Sequence, residues 1–109
     1  MATTEEAKVK KSICEYLKTL DLNGHPIYFE RREAGGFSYK EGLPDLWCIY
    51  DGIHIEIELK QPTGSTRARQ EKWEREFRRK GVLYIRPHSF KEFKEWFEDR
   101  VLNVIGRKV

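Results

Sequence analysis

Gly42-Leu43-Pro44-Asp45-Leu46-Trp47-Cys48-Ile49-Tyr50-Asp51-Gly52-Ile53-His54-Ile55-Glu56-Ile57-Glu58-Leu59-Lys60 decides the fold. Asp51-Gly52 sits between two runs of alternating apolar residues, the strongest short-range signal for a hairpin, because a type I′ turn needs positive φ at both central positions. With those two residues as the loop, Tyr50 pairs with Ile53 and Asp45 lies opposite Glu58. Directly opposed residues on antiparallel strands share a face, with Cβ atoms about 4.5–5.5 Å apart. Two carboxylates so placed repel each other unless a positive charge lies between them, and a hard divalent cation such as Mg²⁺ suits that gap. Alternation adds Lys60 to the same face, together with His54 and Glu56, and leaves Ile53, Ile55, Ile57 and Leu59 on the other.

Working outward, Val9, Ile13, Tyr16, Leu17 and Leu20 recur at helical spacing and predict a helix from about Thr4 to Leu20, opened by a capping box of Thr3 and Glu6. Ile27–Arg31 reads as a short strand. Glu33–Gly42, with Gly35 and Gly36, reads as a loop placed to close over a substrate. After Gln61-Pro62-Thr63-Gly64 stops the hairpin, a second helix is expected from just past Thr66 to Lys80. Trp73 and Phe77 form its buried stripe and Gly81 its left-handed cap. Val82–Ile85 is an apolar strand, and Ser89 with Glu92 caps a last helix marked by Phe90, Phe93, Trp96 and Phe97. The expected order is α-β-β-β-α-β-α: an α/β fold with a mixed sheet flanked by helices.

The chain has 109 residues, 39% hydrophobic, 13% aromatic and 36% charged, which fits one folded domain and argues against disorder. No apolar run approaches the roughly 20 residues needed to span a bilayer. Cys14 and Cys48 stand singly, without a CxxC pattern or a leading secretion signal, so neither a zinc knuckle nor a disulfide scaffold is indicated and the cytosol is the expected location. His54 and Glu56 lack a third partner for a zinc site. The net charge of +3 is modest, but basic residues crowd Arg67, Arg69, Lys72, Arg75, Arg78, Arg79 and Lys80, with Arg31, Arg32 and Lys40 ahead of the hairpin. Such a helix is either a solvated face laced by pairs such as Glu71–Arg75 and Glu74–Arg78 or a surface for DNA phosphates. Phe37, Tyr39 and Trp47 are open to the same two readings, core or base stacking.

Gly-Leu-Pro-Asp at 42–45, Ile-Glu-Leu-Lys-Gln-Pro at 57–62, Gly64, Gln70 opening a helix with Trp73, Gly81, and the leading helix Val-Lys-Lys-Ser-Ile-Cys-Glu-Tyr-Leu at 9–17 form an ordered set. This set resembles the VRR-NUC (virus-type replication-repair nuclease) family of the PD-(D/E)xK superfamily, over most of the chain. The resemblance implies a restriction-endonuclease-like core and a Mg²⁺-dependent DNA endonuclease, with Mn²⁺ able to substitute. It implies that Asp45, Glu58 and the Leu59 carbonyl hold the metal, that Lys60 orients or helps deprotonate the attacking water, and that Gln70 hydrogen-bonds that water or the lysine. The family's acidic residue in the first helix matches Glu6, whose other assignment is the capping box. Arg31, Arg32, Lys40, Arg67, Arg69, Lys72, Arg75 and Arg79 are the expected DNA contacts. Similarity to the single-domain viral and bacterial members implies a homodimer that cuts branched DNA, above all four-way Holliday junctions, in a bacterial cytosol or a phage-infected cell. A flap or restriction-type nuclease, or an idle DNA-binding module on the same fold, remain as alternatives.

Overall fold

A computed structural model of the chain describes residues 4–32, 42–59 and 64–105. Helix α1 (Glu5–Leu22) leads into strands β1 (Ile27–Arg31), β2 (Leu46–Tyr50) and β3 (Ile53–Ile57), then α2 (Gly64–Arg79), β4 (Leu83–Ile85) and α3 (Phe90–Phe97). A π-helical turn, Glu98–Leu102, and a short helix α4 (Asn103–Ile105) extend α3. The four strands lie in the order β1-β2-β3-β4, antiparallel except for the parallel pair β3–β4. This is the helix-flanked mixed sheet that the sequence predicts.

The hairpin forms in the predicted register. Tyr50 pairs with Ile53 and Leu46 with Ile57, and Asp51 and Gly52 carry φ of 50° and 84°, as a type I′ turn requires. Gly81 likewise ends α2 with φ of 83°. At the start of α1 the prediction needs correction. Thr4, not Thr3, is the cap, its hydroxyl accepting from the Ala7 amide at 3.1 Å. The third helical position is therefore Ala7, and Glu6 takes no part in a capping box. At α3 Ser89 caps Glu92 N as expected, while Glu92 Oε2 accepts from His88 N at 3.3 Å.

The apolar stripes converge on one sheet face. Ile13, Leu17 and Leu20 of α1 meet Phe93, Phe97, Val101 and Leu102 over Leu46, Cys48, Tyr50, Ile55 and Ile57, all buried. Tyr16 packs edge-to-face with Phe90, Phe93 and Phe97, and Phe97 does so with Tyr50 at 5.8 Å between centroids, geometries that the ring quadrupoles favour. Burial pushes the Cys48 thiol up to about 12, so this cysteine behaves as a small apolar side chain. The opposite face lies against α2, where Phe77 touches the rings of His54 and Tyr84. Among the described residues no helix is long and apolar enough to cross a membrane.

Phe97 has no solvent exposure, so Phe97→Ala is expected to cost about 3–5 kcal/mol by chemical denaturation. A loss below about 1 kcal/mol would contradict the assignment of the core to this ring cluster.

Candidate functional site

At the open end of the hairpin the ladder stops at Leu46 and Ile57, and the next residues out are Asp45 and Glu58. Both are buried, 7% and 1% exposed. Asp45 Oδ2 accepts from the Leu59 amide at 3.0 Å, which ties the carboxylate to the backbone immediately past Glu58. The backbone on either side is also held: Arg32 N donates to Asp45 O at 2.8 Å, and Glu58 N to Ile85 O at 2.9 Å. The acidic pair is thus fixed from β1 on one side and β4 on the other.

Two neighbours make this geometry possible. Gly42 adopts φ of 89°, and a Cβ there would stand 2.7 Å from Arg69 Cβ and 2.9 Å from its carbonyl carbon. Only glycine lets the Gly-Leu-Pro-Asp segment pass this close to α2. One residue on, Gln70 is 4% exposed, and its buried Oε1 has no hydrogen-bond donor among the described residues. The second neighbour is Glu56. It is fully buried, gripped at both oxygens by Arg32 and at one by His54 Nε2 at 2.6 Å, with Arg32 Nη1 also reaching the Pro44 carbonyl at 3.1 Å. This closed ion pair locks the start of the Pro-Asp segment to β3.

The sequence-predicted residues separate accordingly. Asp45, Glu58 and Leu59 come together, and Gln70 lies on the helix that covers their sheet face. Glu6 is exposed on α1 and lines, with Glu5, Val9, Leu59, Pro87 and His88, a cavity of about 170 Å³. Lys60 and Lys40 fall outside the described residues, as do Phe37 and Tyr39. Arg32 is spent on Glu56, whereas Arg31 is exposed. On α2, Arg67 pairs with Glu71 at 3.0 Å and Arg79 with Glu76 at 2.9 Å. Glu74–Arg78 forms as expected, but Glu71 turns to Arg67 and leaves Arg75 with no ion pair among the described residues. Lys72 lies over the Trp73 ring, and Lys72, Arg75 and Arg79 line an open groove with Glu76. Trp47 sits half-buried between Tyr28 and His54.

Sequence reasoning gave no role to Arg86. It follows β4, and the β3–β4 register that pairs Ile57 with Ile85 sets Arg86 beside Glu58 when continued by one residue. The signal was present in the sequence but could be used only once β4 was known to lie parallel to β3. Arg86 and Arg78 both hold Glu74, at 2.9 Å each. Burial raises the Glu74 carboxyl, but the hydrogen bonds from Arg86 and Arg78 outweigh it and keep the group below its ordinary range. Burial, with the Glu58 carboxylate next in size, pushes the Tyr84 phenol well above its ordinary value.

The candidate donor set is all oxygen: two buried carboxylates and a neighbouring backbone carbonyl. It fits Mg²⁺ or Mn²⁺, which need few protein ligands and keep several waters. Among the described residues no three His, Cys, Asp or Glu side chains gather as a metal cage.

The fold has a solved counterpart. A structure described as a VRR_NUC domain superposes with a TM-score of 0.64 at 23% identity, over 88% of this chain and 97% of that one. No family profile and no curated protein matches the sequence.

Glu56→Gln is expected to destabilise the fold by roughly 3–5 kcal/mol, since it leaves the Arg32 charge without its buried partner. Gly42→Ala should unseat α2 from the Pro-Asp segment, lowering stability and any activity together. Denaturation midpoints unchanged in both variants would remove these contacts from the account.

Proposed function

We propose that this chain, whose fold is that of a VRR_NUC domain, is a metal-dependent DNA endonuclease built on Asp45 and Glu58. The observation that carries the reading is the burial of two carboxylates, Asp45 and Glu58, in the first positions past the hairpin ladder, beside the Leu59 backbone, a set of oxygens that suits a hard divalent cation. Asp45, Glu58 and the Leu59 carbonyl would hold Mg²⁺ or Mn²⁺. When bound, the metal supplies a Lewis acid for the phosphoryl oxygen and a water of lowered pKa.

The chain's own residues do the remaining work. Gln70 offers its buried Oε1 to a proton of the attacking water and so orients it. Lys60 compensates the charge that accumulates on the phosphoryl group and helps take up the water's proton. Glu6, released from any capping role, faces the cavity beside Leu59 and is assigned to the water shell of the centre. The DNA backbone is read along α2 by Arg67, Arg69, Lys72, Arg75 and Arg79, with Arg31 and Lys40 from the segment ahead of the hairpin. Contacts of this kind carry affinity without sequence preference.

The resemblance supports a branched substrate, a four-way junction cut by a homodimer, because paired incisions need two centres related by a two-fold axis.

Labelled four-way junction, 5′ flap and linear duplex, each incubated in Mg²⁺ or EDTA, test this reading. We expect cutting that needs metal, is lost in Asp45→Asn and favours the junction. Preference for the flap would redirect the substrate, and binding without cutting of any DNA would leave an idle module. Arg75→Ala, with no ion pair to lose, should weaken binding and lower the slope of log affinity against log salt by about one. An unchanged slope would make α2 a solvated face.

A further inference from the structure

We propose that Arg86 is a further catalytic residue of this centre, binding a non-bridging oxygen of the phosphate at Asp45 and Glu58. The proposal rests on the nuclease reading above and adds a cation to it. Continuing the three ladders by one residue places Arg32, Asp45, Glu58 and Arg86 in one row across the four strands, the two acidic residues between the two arginines. The two arginines differ in what remains of their donors. Arg32 is occupied at Nη1 by Glu56 and the Pro44 carbonyl and at Nη2 by Glu56.

Arg86 instead directs Nε and Nη2 to a single oxygen, Glu74 Oε1, at 3.0 and 2.9 Å. Its Nη1 is buried with no hydrogen-bond partner among the described residues. The guanidinium is held in place, stacked 5.8 Å over the Tyr84 ring, while one edge keeps its donors. Buried N–H groups of a charged side chain rarely go unused, and a planar, anchored guanidinium is well matched to phosphate oxygens. Glu74 serves as a positioning residue: with Arg78 on its other oxygen at 2.9 Å, it fixes where the free edge of Arg86 lies.

Arg86→Gln, Arg86→Lys and Glu74→Gln are to be compared for cleavage in Mg²⁺, for the salt dependence of DNA binding in Ca²⁺, and for Tm. Phosphate contact predicts that Arg86→Gln lowers kcat by roughly 10²-fold and the salt slope by about one. Arg86→Lys should restore the slope and part of kcat. Glu74→Gln, which weakens the ion pair but keeps the guanidinium, should lose much less activity at a comparable loss of Tm. Equal losses of activity in Glu74→Gln and Arg86→Gln, tracking Tm with the slope unchanged, would overturn the proposal and make Arg86 a strut. A wild-type chain that cuts nothing, yet loses a unit of slope on Arg86→Gln, would keep the phosphate contact and discard the nuclease.

Discussion

The juxtaposition of Asp45 and Glu58 is the constraint that the surrounding structure answers. Two like charges about 5 Å apart repel by roughly 3 kcal/mol even at an effective dielectric of 20, and here both carboxylates are buried. The hairpin register leaves them no alternative, because a slip of one residue would turn every isoleucine of β3 away from the core. The Leu59 amide donates to Asp45, and an arginine stands at each end of the row. Each arginine in turn has its own carboxylate, Glu56 for Arg32 and Glu74 for Arg86. The charged face therefore carries a compensated ion pair at each end, with the two acidic residues between them.

Helix α2 covers the charged strand face on which the proposed site lies. The close pass of Gly42 against Arg69 seats α2 directly over the row and brings Gln70 inside. The same helix then presents Lys72, Arg75 and Arg79 outward, so one element seals the centre and carries a basic groove. The same contacts hold the fold and the proposed site, so a substitution at Gly42 or Glu56 is expected to act on both.

The hairpin, its register and the facing carboxylates were legible in the sequence because a two-residue I′ turn fixes pairing with no knowledge of the rest of the chain. The helices were legible from their stripes and glycine stops. The burial of the charged face was not, since alternation says which residues share a face but not what covers it, and Glu56 reads as an ordinary exposed residue until Arg32 and α2 are in place. Arg86 was hidden for a related reason: its place beside Glu58 follows from the parallel β3–β4 pairing, a contact across a helix that no local pattern encodes. The cap at Thr4 was missed because Thr3 and Glu6 have the right spacing, and adjacent threonines leave the choice of cap open.

The central claim is that the Asp45–Glu58 pair is built to hold a divalent cation. Thermal unfolding of the wild-type chain and Asp45→Asn, each with and without millimolar Mn²⁺, tests it most directly. Mn²⁺ is expected to raise the wild-type Tm through binding linkage and to leave the Tm of Asp45→Asn unchanged. Equal responses of the two proteins to Mn²⁺ would contradict it.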